Sequence, residues 1–437
     1  MDIDEKLKLL KKTRELRLKG DGVNRVWEEI DKTEGLSTKE KLEKLISLTG
    51  TARLRPAEPP VRDKQRPPFQ VFEQQHTLSC RYGKISLDDG LHIDGRTLGL
   101  LSRDPEFETL DLSSALFFDL ETTGLSGGVG VVPFLAGFGF YGEGKFHVVQ
   151  YFLNELSEED RMVEEMGRFF AETGFKSVVS FNGKAFDLPL AETRFIFHRK
   201  PFPLAELPHL DFLFSARSLW KHKHESCRLF HLAREVLIAD RAEDIPSSEI
   251  PWRYFQYLRG GDFSLIEPIL YHNQEDILSL LGVVIAGAKL VSEGWEEAAD
   301  GADAADMFGA SRIFEKAGDM ERSVRCLEKS LEGRMPREMA LLARKKLSYH
   351  MKKSRRWDKA IALWRDLTPA NQLFCYKELA MYYEHKEKNF PEARRLAEEG
   401  LALSLGVSRE HEEDFSRRLT RLRKKMERPQ ERPKSRE

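Results

Sequence analysis

The apolar residues change their period partway along this 437-residue chain, and that change limits the folds open to it. From about 78 to 290, short β-branched and aromatic runs alternate with stretches whose apolar residues recur every three or four positions, the pattern of an α/β domain. Strands are expected at "SALFFDLE", "VVPFLAGFGFY", "KFHVVQYFL" and "SVVSFNG", and helices near 157–172, 187–198, 225–237 and 264–290. Ser157 and Asp160 stand at capping-box spacing at the start of the first helix. Beyond about 300 only helical spacing remains, and three segments can be stacked there. Aligned on Met320, Trp357 and Phe390 they lie 37 and 33 residues apart, each with a small residue three positions on (Ser323, Ala360, Ala393). A helix–turn–helix repeat or an unrelated helical bundle satisfies that spacing.

Four regions follow from the pattern. Residues 1–70 combine charged helical segments with "RPAEPPVRDKQRPPFQ", whose five prolines read as an extended linker. Residues 71–295 form the α/β domain, 300–416 the helical repeats, and 417–437 a basic tail with ten Lys or Arg against three Glu. A content of 41% hydrophobic and 32% charged residues excludes bulk disorder and suits a soluble protein with much helical surface. The four cysteines are dispersed and match no metal or disulfide pattern. The acidic start, MDIDEK, lacks the features of a signal peptide, and no apolar run reaches the ~20 residues that cross a bilayer. A cytoplasmic location without membrane contact is the expectation.

Chemistry enters through "LFFDLETTG". In an extended strand residues i and i+2 share a face, so Asp119 and Glu121 set two carboxylates side by side. A fold tolerates such repulsion where cations neutralise it, and equally where the strand simply ends in solvent. In "FNGKAFDLPL", Asp187 opens a helix and suits a ligand or a helix cap. In "YHNQEDILSL", His272 precedes Asp276 by four residues, so both share one helical face, which a solvated polar stripe would also explain.

Together, Asp119, Glu121, Asp187 and Asp276 on strand, strand, helix start and late helix resemble the DEDD group of 3'-to-5' exonucleases over about residues 110–290. The longer motifs "DLETTGLSGGVGVVPFLAGFG", "FNGKAFDLPL", "EDIPSSEIPWRYFQYLRGGD" and "YHNQEDILSL" look like the bacterial YprB-like group of ribonuclease-H-like proteins, a predicted exonuclease family. The three C-terminal segments resemble tetratricopeptide repeats with an irregular first copy. These resemblances imply a ribonuclease-H-like mixed sheet flanked by helices, followed by an all-α repeat domain. They also imply a nuclease whose four carboxylates bind two divalent ions, Mg or Mn, and whose partners are DNA or RNA and a protein bound by the repeats. In the family a His stands five residues before the last Asp, or a Tyr four before it; here Tyr271 and His272 exchange those spacings. His272 is the expected base, because it shares a helical face with Asp276 and its unperturbed pKa suits proton removal near neutral pH.

Substrate contacts are expected from Thr122 and Gly124 beside the acids and from Asn182 and Lys184 in the second motif. They are also expected from "SARSLWKHKHESCR", where Arg217, Lys221, Lys223 and Arg228 interleave with Trp220. A solvated charged helix fits that last stretch as well. Asp211 reads as a structural or supporting carboxylate. The glycines of "LSGGVG" lack the GK[ST] of a phosphate loop and read as a connection between strands.

Overall fold

The β4 strand, Ala115–Thr122, is built from a nearly continuous apolar run because both its faces are covered. Leu116, Phe118 and Leu120 pack into one core, and Ala115 and Phe117 into another on the opposite face. A computed structural model describes residues 67–124, 130–241, 244–292 and 302–427. The helical segments and linker expected before residue 67, most of the "LSGGVG" loop and the last ten residues lie outside them.

Six strands form one mixed sheet in the order β1 (Phe69–Thr77), β6 (Lys145–Leu153), β5 (Pro133–Gly142), β4, β7 (Ser177–Ser180), β8 (His209–Asp211). The pairs from β1 to β4 are antiparallel, and β4–β7 and β7–β8 are parallel. The strands β2 (Arg81–Tyr82) and β3 (Ile85–Ser86) make a separate ribbon. All four expected strands are present. The sequence pattern does not disclose β1, because it is an edge strand with the polar composition FQVFEQQHT.

Helices α1 (Gly95–Ser102), α2 (Glu159–Thr173), α3 (Asp187–Phe197), α4 (Phe212–Trp220), α5 (Leu229–Glu235), α6 (Ile250–Gly260) and α7 (Glu267–Lys289) flank the sheet. The expected Ser157 cap does not form: residues 156–158 make a 3-10 turn and α2 starts at Glu159. Buried Glu159 ties that start to the Arg194 guanidinium and to His198 Nε2 (3.0 Å) of and beside α3. Helix α7 lies against β5 at two positions where the strand has no side chain. A Cβ on Gly137 would stand 2.1 Å from Asn273 Oδ1, and one on Gly139 2.5 Å from Ile277 Cγ2.

Among the described residues, seven helices follow: α8 (Ala304–Ala317), α9 (Met320–Glu332), α10 (Arg337–Lys353), α11 (Trp357–Leu367), α12 (Leu373–His385), α13 (Phe390–Ser404) and α14 (Arg409–Glu427). Met320, Trp357 and Phe390 each open a helix, and Ser323, Ala360 and Ala393 are buried one turn later. The described residues between 67 and 427 fall in one compact unit. Met307, Ala310, Ile313 and Phe314 of α8 share a core with Leu219 and Trp220 of α4. The chain from 417 is helical as far as Glu427, where the described residues end. Phe415 and Leu422 are buried, and Arg418, Arg421 and Lys425 converge on the buried Glu384 at 2.7, 2.6 and 2.9 Å, so the segment is held by core packing and by paired charge.

Candidate active site

Parallel pairing of β4 with β7 brings their carboxyl ends together, with Phe118 opposite Ser180. Ligands of open α/β sheets collect at such ends. Asp119 is the next residue on β4, and Glu121 lies two further on the same face, just before a register shift that ends regular pairing with β5. Beyond β7 the chain turns sharply: Asn182 has φ 73°, and Gly183 leaves no room for a Cβ, which would stand 2.4 Å from Ser180 Oγ. Asp211 clamps this turn by accepting the backbone N–H of Asn182 (2.7 Å) and Lys184 (3.1 Å), while capping α4 through Leu213 N–H (3.2 Å). The clamped turn delivers Asp187 as the first residue of α3, so this carboxylate does not cap the helix.

Helix α7 supplies the rest. His272 Nε2 stands 3.5 Å from Glu121 Oε1 and 3.6 Å from Asp276 Oδ2. The structure thus brings His272 to Glu121 and Asp276, while Tyr271 occupies the neighbouring, half-buried position. Electrostatics link all four acids. Burial, then the charges of Asp276, Glu121 and Asp187, push the Asp119 carboxyl well above the ordinary range. Burial and then Asp276 and Asp187 do the same to Glu121. Asp187 is raised to about 7, chiefly by burial and against the backbone N–H groups that stabilise its anion. Burial opposes the His272 cation, but the hydrogen bond to Asp244 and the charges of Asp276 and Asp244 outweigh it and hold the imidazole above its usual value.

Four participants were not apparent from the sequence. Asn273 donates through Nδ2 to Asp119 Oδ2 (2.8 Å) and accepts from Gln150 Nε2 (2.9 Å). The glycines of "FLAGFGF" were the available sign of this contact, since Gly137 is paired with Asp119 across the strands and makes room for Asn273. Asp244 accepts from His272 Nδ1 (2.5 Å), and Arg241 bonds Asp276 Oδ1 (2.6 Å) and pairs with Asp244. Asp244 lies in the motif "EDIPSSEIPWRYFQYLRGGD", but no spacing in that stretch singled it or Arg241 out.

The expected substrate contacts divide. Thr122 and Gly124 adjoin the acids, but the Thr122 hydroxyl already donates to the Gly124 carbonyl at 2.6 Å. Lys184 is exposed beside Asp187's turn, and the Asn182 backbone is used by Asp211. Arg217 and Lys221 are exposed at and just beyond the end of α4 opposite its Asp211 cap. Arg228 is exposed, and Lys223 pairs with Asp303 (2.9 Å) and Asp306 (2.7 Å) at the α8 start. Trp220 is corrected: it is 1% exposed and packs near Phe212, so it presents no face to a base.

Buried carboxylates that raise one another's pKa form a donor set suited to a hard divalent cation. As the side chains stand, however, among the described residues no three His, Cys, Asp or Glu groups are spaced to enclose one ion. Also among the described residues, no helix is long and apolar enough to cross a membrane.

A family described as RNase_H superfamily matches residues 116–286. The chain is 32% identical over 364 residues to the "uncharacterized protein YprB" of Bacillus subtilis (strain 168), covering 81% of this chain and 86% of that protein. Among solved structures, the family B DNA polymerase of the hyperthermophilic archaeon Pyrobaculum calidifontis matches at 14% identity and a TM-score of 0.33. That match covers 53% of this chain, and the chain spans 29% of the polymerase. The extent and identity of the Bacillus subtilis match mean that this chain belongs to the YprB family, with a ribonuclease H superfamily domain at its centre.

Proposed function

We propose that the chain is a metal-dependent nuclease that hydrolyses phosphodiester bonds, acting as a 3'-to-5' exonuclease of the DEDD type on DNA or RNA. The observation that carries this reading is the convergence of Asp119, Glu121, Asp187 and Asp276 with His272 at the carboxyl ends of β4 and β7. These carboxylates would hold two divalent ions, Mg or Mn, which supply an activated water and charge stabilisation of the leaving oxygen. His272 keeps Nε2 toward Glu121 and Asp276 while Asp244 holds its other nitrogen, so Nε2 is the atom that takes a proton. Asn273 fixes Asp119 at Oδ2, which leaves its other oxygen for a cation. Lys184 offers a charge to a backbone phosphate. A cytoplasmic location belongs to the same proposal.

The C-terminal helices are read as tetratricopeptide-like repeats that recruit a protein. Their support is the recurrence of a helix start at Met320, Trp357 and Phe390 with a buried small residue one turn on. One observation favours a second reading, a non-catalytic nucleic-acid-binding scaffold: Arg241 already neutralises Asp276.

The test is hydrolysis of 5'- and 3'-labelled DNA and RNA with Mg or Mn. Asp119→Ala is expected to abolish a metal-dependent product ladder that the wild type produces. Activity retained by Asp119→Ala refutes the site assignment, and an inactive wild type that binds nucleic acid favours the scaffold.

A further inference from the structure

Resting on the nuclease reading above, we propose that Arg241 and Asp244 form a buried positioning unit that aims His272 and Asp276 at the acidic cluster. The Arg241 side chain is 0% exposed and that of Asp244 is 1% exposed. One Asp244 oxygen accepts from His272 Nδ1 at 2.5 Å, and the other pairs with the Arg241 guanidinium. The same guanidinium reaches Asp276 Oδ1 at 2.6 Å and Ser279 Oγ at 3.2 Å. Ser279 Oγ in turn lies 2.8 Å from the Tyr82 hydroxyl, which donates to Glu275 Oε2 at 2.7 Å.

The result is a division of atoms. His272 is gripped at Nδ1 and faces the cluster with Nε2; Asp276 is gripped at Oδ1 and faces it with Oδ2, the two free atoms standing 3.6 Å apart. An imidazole held at one nitrogen by a carboxylate has its tautomer and ring orientation set, and a carboxylate held at one oxygen presents the other. A buried ion pair is a poor device for stability alone, because apolar residues of similar volume serve as well or better. Here each partner of the pair also bonds one of the two α7 side chains at the cluster, Asp244 to His272 and Arg241 to Asp276, which is the work of orientation.

The test uses the full-length, metal-free protein at a pH above the raised pKa of His272, so that the imidazole is neutral and has a defined tautomer. Nitrogen-detected NMR of histidine in the wild type is expected to give His272 as a fixed Nδ1–H tautomer, and in Asp244→Asn to lose it. Hydrolysis by that variant is expected to fall by ~10²–10⁴, the range of a mis-set general base. Arg241→Lys keeps the charge but not the fork, and is expected to weaken Mn binding measured by calorimetry ~10- to 100-fold while leaving the His272 tautomer in place. If either variant fails to fold, the other still decides. A His272 without a fixed tautomer in the folded wild type overturns the proposal, as does a tautomer unchanged in Asp244→Asn or Mn affinity unchanged in Arg241→Lys. A fixed tautomer in a wild type that hydrolyses nothing instead removes the nuclease reading and leaves the positioning unit standing.

Discussion

Replacing Gly137 by alanine adds one methyl group at the point where α7 touches the sheet. Its Cβ would lie 2.1 Å from Asn273 Oδ1 and 2.7 Å from Asn273 Cγ, distances no side chain can sustain. Either α7 moves outward or the Asn273 carboxamide leaves its place, where it is fully buried between Gln150 and Asp119. Overpacking of this kind costs ~1–3 kcal/mol. Leaving the buried carboxamide and its partners without their hydrogen bonds costs ~1–3 kcal/mol more. The expected loss is therefore ~2–6 kcal/mol, read as a lower urea midpoint with an unchanged slope. Gly260→Ala is the control, since its added Cβ meets nothing within 4 Å; it is expected to change stability by no more than ~1 kcal/mol. Removing the obstructing side chain separates the two contributions: in Gly137→Ala/Asn273→Ala the cost should fall short of the sum of the single variants by ~1 kcal/mol or more. A Gly137→Ala protein within ~0.5 kcal/mol of wild type, or additive single and double variants, would refute the close-approach argument.

Glu384→Gln should destabilise the C-terminal helices by ~3–5 kcal/mol, because Arg418, Arg421 and Lys425 lose a buried partner. Burial raises this carboxyl, but the hydrogen bonds from Arg421 and Lys425 and the charges of Arg421 and His385 outweigh it and hold it down at about 2, against 4.5 for a free one, so its contribution is complete above about pH 4.5 and is lost as pH falls toward 2. Acid unfolding curves of wild type and Glu384→Gln should accordingly converge at low pH, and a gap that stays constant would contradict the assignment. Trp220→Ala is expected to cost ~3–5 kcal/mol in thermal or urea unfolding, as for a large buried aromatic. Arg217→Ala and Lys221→Ala, both exposed, should stay within ~0.5 kcal/mol and weaken binding of labelled oligonucleotides instead, with the reverse ranking as the contrary result.

Legibility differed by element for physical reasons. The strands β4 to β7 were readable because each is covered on both faces and is built around β-branched or aromatic residues. The edge strand β1, with one solvated side, and the three-residue β8 carry too little apolar pattern to register. Helix α4 was masked by its own composition: its Arg217 and the following Lys221 read as a nucleic-acid surface around Trp220, whereas the helix turns that tryptophan into the core shared with α8. In the candidate site Asp119 with Glu121 and His272 with Asp276 were legible because each pair sits at a spacing that strand or helix geometry converts into a shared face, and Asp187 was legible by its motif alone.

What the sequence determined by itself was local: the periods of strands and helices, the i, i+2 pair Asp119 and Glu121, and the i, i+4 pair His272 and Asp276, all consequences of backbone geometry within one element. The tertiary structure alone decided the partners. Asp244 meets His272 from 28 residues away, Arg241 meets Asp276 from 35, and Asn273 meets Asp119 from 154. Those contacts depend on β4 lying between β5 and β7 and on Gly137 letting α7 approach. Strand order and close approach are properties of the packed chain, and no spacing along the sequence encodes them.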